Sequence, residues 1–106
     1  MTLTDYQAFV KSTSVRDDNK YWYACLGLAG ETGEVIEHFK KSARVDFRDI
    51  ESRKREIELE LGDILWYTSR LANELGLTLD DIIAANVEKI SGKVKLYGMA
   101  YAASKA

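Results

Sequence analysis

A chain of 106 residues, 46% apolar and 30% charged, has the size of one domain spanning residues 1–106, able to bury a core but with little margin. Its net charge of −2 provides no basic field for holding a nucleic acid polymer, and no apolar run approaches the about 18 residues of a membrane span, so both partners are excluded. A lone cysteine, Cys25, cannot close an intrachain disulfide and the N-terminus shows no charged-then-apolar leader, which together predict a cytoplasmic protein. The complete absence of proline favours helices.

Four helical segments are predicted in chain order. The first begins at Thr4 as N-cap, with Gln7 as the return partner of a capping box, and places Tyr6, Phe9 and Val10 on one face. A break falls within the polar stretch from Lys11 to Lys20. The second segment runs from about Asn19 to Ala43, with Trp22, Leu26, Ala29, Ile36 and Phe39 as its apolar stripe. It contains Gly27, Gly30 and Gly33, and glycine inside a helix costs about 1 kcal/mol relative to alanine. Close approach of a neighbouring helix or of a ligand would account for them.

After a linker from Arg44 to about Ile50, the third helix is predicted from Glu51 to Leu75, stopped by Gly76. Ile57, Leu61, Ile64, Leu65, Thr68, Leu71, Ala72 and Leu75 give it the strongest helical period in the chain. The fourth starts at Thr78 as N-cap with Asp80 and Asp81 in its first turn, carries Leu79, Ile82, Ile83, Val87 and Ile90 on one face, and ends or loosens near Gly92. The tail from Lys93 to Ala106 docks on a neighbour or frays.

Two carboxylate pairs stand out. Glu31 and Glu34 lie in G-L-A-G-E-T-G-E-V-I-E, and Glu60 and Asp63 in E-L-E-L-G-D-I-L-W-Y. At i,i+3 spacing both acids of a pair share one side of their helix. Glu60 and Asp63 adjoin Ile64 and Tyr67 at the edge of the apolar stripe rather than facing water. A random helical Glu is solvated. Two such pairs on adjacent antiparallel helices would instead gather four negative charges in a small volume, stable only with a cation or with raised pKa values. Oxygen-only ligands point to Mg²⁺, with Mn²⁺ as a substitute, and Mg²⁺ completes its shell with water and substrate phosphates. A di-iron bundle requires Glu-x-x-His on two helices, whereas this chain has only His38, four residues after Glu34; zinc lacks its ligands for the same reason. His38 is expected on a helix surface. In N-V-E-K-I, Asn86 and Lys89 share one side of the fourth helix, where an amide and a cation suit phosphate oxygens.

These strings resemble the MazG family of all-α nucleoside triphosphate pyrophosphohydrolases: E-T-G-E matches its E-x-x-E motif, E-L-G-D its E-x-x-D motif and N-V-E-K its asparagine–lysine element, over roughly residues 20 to 92. Gly30 departs from the pattern, since many members carry a further Glu there. The resemblance implies a bundle of about four helices completed by homo-oligomerisation into a dimer or tetramer. It also implies Mg²⁺-dependent cleavage of a nucleoside triphosphate, ribo or deoxy, to monophosphate and pyrophosphate, in house-cleaning or control of the nucleotide pool. Glu31, Glu34, Glu60 and Asp63 become metal ligands, with Glu31 or Glu34 also orienting or deprotonating the water that attacks the α-phosphorus. Asn86, Lys89 and Lys40 are assigned to phosphate, and Trp22 or Trp66 to stacking on the base. The rival readings are a phosphoribosyl-ATP or dUTP-type pyrophosphohydrolase, or a non-catalytic helical oligomerisation module.

Overall fold

The computed structural model describes residues 1–14 and 21–97, with side chains through Lys93. It contains α1 (Leu3–Thr13), α2 (Trp22–Ala43), α3 (Ile50–Leu75) and α4 (Leu79–Tyr97), with no strand among the described residues. The fold is all-α, as the sequence implies.

An antiparallel hairpin of α2 and α3 carries the architecture. Its turn is held where Ser42 donates its hydroxyl to the Asp49 carboxylate and Arg53 Nε donates to Asp49 Oδ2 at 2.8 Å. These donors, Ser42 foremost, hold the Asp49 carboxyl below its ordinary range. The turn forces Asp46 and Phe47 to φ 53° and 61°, a left-handed conformation that costs non-glycine residues energy. One turn of helix further in, the His38 ring lies 3.6 Å from Glu56 and 3.4 Å from Arg53. His38 is therefore half-buried in the α2–α3 seam and not a surface residue, because the third helix supplies it with a charged pair across the hairpin.

The first helix is capped two residues earlier than predicted. Thr2 and Asp5 form the capping box, with Thr2 Oγ1 accepting from Asp5 N at 3.0 Å and Asp5 Oδ2 accepting from Thr2 N at 3.1 Å. The Gln7 side chain is thereby free for a tertiary role. Its Nε2 donates to Asn73 Oδ1 (2.9 Å) and to the Leu77 carbonyl (3.0 Å), and its Oε1 accepts from Leu79 N (2.7 Å). One side chain thus fastens α1 to the end of α3 and the start of α4. Gly76 at φ 71° closes α3, and Thr78 Oγ1 caps α4 by accepting from Asp81 N at 3.1 Å, both as expected. The helix continues through Gly92 to Tyr97, so that glycine does not end it. The expected start at Asn19 and the tail beyond Tyr97 lie outside the described residues.

Only Val10, Ala24, Ile57, Ala72 and Leu79 are buried hydrophobics among the described residues. The fourth helix packs against α1 and forms no comparable seam with α2 or α3, leaving Ile83, Val87 and Ile90 exposed. A radius of gyration of 17.0 Å, against about 13 Å for a compact domain of this length, reflects that open arrangement. No helix is long and apolar enough to cross a membrane among the described residues.

Candidate metal centre

The hairpin register decides which acids meet. With Gly27 on α2 facing Tyr67 on α3, one turn further along each helix brings Glu31 opposite Glu60 and Asp63. One ligand oxygen from each of Glu31, Glu60 and Asp63 lies within 4.8 Å of the others. Glu34 is exposed and stands outside this group of three, close enough to add to its negative field at Glu31. Three of the four predicted acids therefore converge, and the fourth sits at the rim.

Electrostatics register the crowding. The Glu31 carboxyl is pushed from an ordinary 4.5 to about 7, first by its hydrogen bond with Glu60, then by burial and by the charges of Asp63, Glu60 and Glu34. The hydrogen bond to Glu60 favours the protonated form of Glu31 in the metal-free protein. A cation would replace that proton. The donor set is all carboxylate, with neither imidazole nor thiolate, which suits a hard, oxygen-preferring divalent ion.

Glu31 and Asp63 also line a cavity of about 260 Å³ whose other wall is Trp66 and Tyr67. Trp66 and Tyr67 meet edge to face, with centroids 5.0 Å apart and planes at 80°. The Trp66 Nε1 donates to Thr13 Oγ1 at 3.0 Å, tying this wall to α1. Arg70, one turn beyond, places its guanidinium 4.4 Å from the Tyr23 ring centroid and 5.9 Å from that of Trp66. Burial, and after it the charge of Asp63, raises the Tyr6 phenol above its ordinary value, so α1 also borders the acids.

The remaining predicted contacts do not line this cavity. Lys40 and Trp22 lie nine residues to either side of Glu31, about 13 Å along the helix axis, and both are exposed. Lys40 sits 3.9 Å from Glu37 instead. Asn86 and Lys89 are exposed on α4, which makes no seam with the acid-bearing helices. Arg70 and Tyr6 were not singled out as site residues by the sequence. The only signal for Arg70 is spacing: it follows Asp63 by seven residues, and so continues its face.

Residues 23–95 match the MazG nucleotide pyrophosphohydrolase domain. The chain belongs to the MazG family. The match takes in both acidic motifs and all of α3, so the carboxylate cluster is built within the MazG region, while α1 lies outside it. Among curated proteins, the Gene 37 protein of Mycobacterium phage L5 is 35% identical over 72 residues, covering 67% of this chain. The aligned segment spans 63% of that relative's length. No solved structure matches the chain.

Proposed function

We propose that this protein hydrolyses nucleoside triphosphates, ribo or deoxy, to monophosphate and pyrophosphate with Mg²⁺ or Mn²⁺, in control or house-cleaning of the cytoplasmic nucleotide pool, and that residues 1–106 act as one domain. The observation that carries this reading is the convergence of Glu31, Glu60 and Asp63 beside an aromatic-walled cavity, in a chain of the MazG family. These three carboxylates would hold the ion, which would supply positive charge against the triphosphate and the departing pyrophosphate. Glu34, left outside the ligand group, accepts a proton from water as that water's oxygen bonds to the α-phosphorus. The bond from the α-phosphorus to the bridging oxygen breaks, and that oxygen leaves with pyrophosphate. Trp66 packs against the nucleoside across the cavity.

The working form is a homo-oligomer. Ile36, Phe39, Leu61 and Leu65 stand exposed on the hairpin flank away from the acids, and Phe39, Leu61 and Leu65 border a groove of about 570 Å³. With five buried hydrophobics among the described residues, the chain leaves more apolar surface outside than a stable monomer keeps. Asn86, Lys89, Lys40 and Trp22 contribute to phosphate or base binding as assembly brings them toward a neighbouring copy's acids.

The test is product identification across a panel of NTPs, dNTPs and phosphoribosyl-ATP, with Mg²⁺ and with chelator. Pyrophosphate and the matching monophosphate are expected only with metal, and Asp63→Ala should abolish them with helical content intact. Release of orthophosphate in place of pyrophosphate, or no metal dependence, contradicts the assignment.

A further inference from the structure

We propose that the contact between Gly27 and the Tyr67 ring is a spacer that sets the separation of α2 and α3 at the carboxylate cluster, and with it the size of cation the cluster accepts. This rests on the function proposed above and adds Tyr67 to it as a positioning residue.

Gly27 is the α2 glycine with a tertiary reason to be glycine. A β-carbon added there would overlap Cε1, Cδ1 and Cζ of Tyr67, whereas one added at Gly30 or Gly33 meets nothing within 4 Å. The Tyr67 ring therefore lies directly on the α2 backbone. It is hemmed in by the Trp66 edge at 5.0 Å and by Tyr23 at 6.0 Å and 44°. Trp66 is tied to Thr13, and Tyr23 is covered by Arg70. With its neighbours pinned, the ring cannot yield to an added methyl without moving the helices apart.

The position of this contact gives it leverage. Glu31 follows Gly27 by one turn of α2, and Asp63 precedes Tyr67 by one turn of α3, so a change in spacing at the ring is passed directly to the acids. Packed helices ordinarily stand about 8–10 Å apart, and a glycine seat permits the closer end. Mg²⁺ demands near-ideal octahedral bonds of about 2.0–2.1 Å, whereas Ca²⁺ accepts about 2.3–2.6 Å in irregular geometry. A hairpin wedged open therefore loses Mg²⁺ before it loses Ca²⁺.

The experiment is titration calorimetry of the full chain with MgCl₂ and with CaCl₂, without nucleotide, alongside circular dichroism. Gly27→Ala should weaken Mg²⁺ binding about tenfold or more and Ca²⁺ binding about threefold or less. Gly27→Ala combined with Tyr67→Leu should restore the Mg²⁺-to-Ca²⁺ ratio to within about threefold, because the smaller side chain makes room for the methyl. Tyr67→Phe, which keeps the ring, should bind both ions as the unaltered protein does. Equal loss of both ions in Gly27→Ala, or an unchanged ratio, overturns the spacer. If Gly27→Ala does not fold, Tyr67→Leu against Tyr67→Phe decides: a changed ratio only in the first supports the proposal, and the same ratio in both overturns it. An unaltered protein that binds neither ion removes the metal-dependent function and the spacer together, while one that binds Mg²⁺ with every variant alike removes the spacer alone.

Discussion

Lowering the pH from 8 to 6 should weaken Mg²⁺ binding about tenfold. The Glu31 carboxyl titrates near 7 because Glu60 hydrogen-bonds it and Asp63 and Glu34 add negative charge. Metal must displace the Glu31 proton, so apparent affinity is nearly pH-independent above that value and falls about tenfold per unit below it. About half a proton should be released per ion at pH 7, and close to one at pH 6. Calorimetry in two buffers of different ionisation enthalpy counts those protons directly. The sign for stability follows from the same shift. The folded value lies above the ordinary 4.5, so the metal-free protein loses stability as pH rises from 4.5 through about 7 and regains it on adding Mg²⁺. Mg²⁺ affinity that is flat from pH 6 to 8, with no proton release, would refute the crowded-carboxylate reasoning.

Gln7→Ala removes three hydrogen bonds that join α1 to the α3–α4 turn; it should cost about 2–3 kcal/mol and lower Tm on the order of 10 °C, and a loss under about 2 °C in thermal unfolding would show that α1 is fastened otherwise. Gly33→Ala meets open space within a helix and should raise stability by about 0.5–1 kcal/mol in urea unfolding, the reverse of Gly27→Ala; a destabilised variant would place an unseen neighbour there. Leu65→Glu places a charge in the exposed apolar groove and should reduce an oligomer to monomers in sedimentation; an unaltered protein that is already monomeric contradicts the assembly.

The helices were legible because their signals are local. The period of Ile57 to Leu75, the Gly76 stop and the Thr78 cap each depend on residues within a turn or two. The convergence of Glu31 with Glu60 and Asp63 was legible for the same reason: i,i+3 pairs fix a face, and an antiparallel hairpin brings two faces together. What the sequence hid was tertiary. Thr4 and Gln7 satisfy the capping pattern as well as Thr2 and Asp5 do, and only the demand of Leu77, Leu79 and Asn73 for a partner draws Gln7 away. Three equally spaced glycines look alike in sequence, yet register gives Gly27 alone a ring to receive. The exposure of Glu34 has a similar origin: an i,i+3 pair subtends about 60° on a helix, enough to set one acid in the seam and the other at its edge. The α4 face reads as core from its period, but Ile83, Val87 and Ile90 stay exposed, with no seam against α2 or α3 among the described residues.

The central claim, that the hairpin acids form a divalent cation site, is tested most directly by anomalous diffraction from crystals soaked in Mn²⁺. The account predicts a peak bonded to carboxylate oxygens of Glu31, Glu60 and Asp63, lost in Asp63→Ala. Manganese bound elsewhere, with those three carboxylates holding only each other, would contradict it.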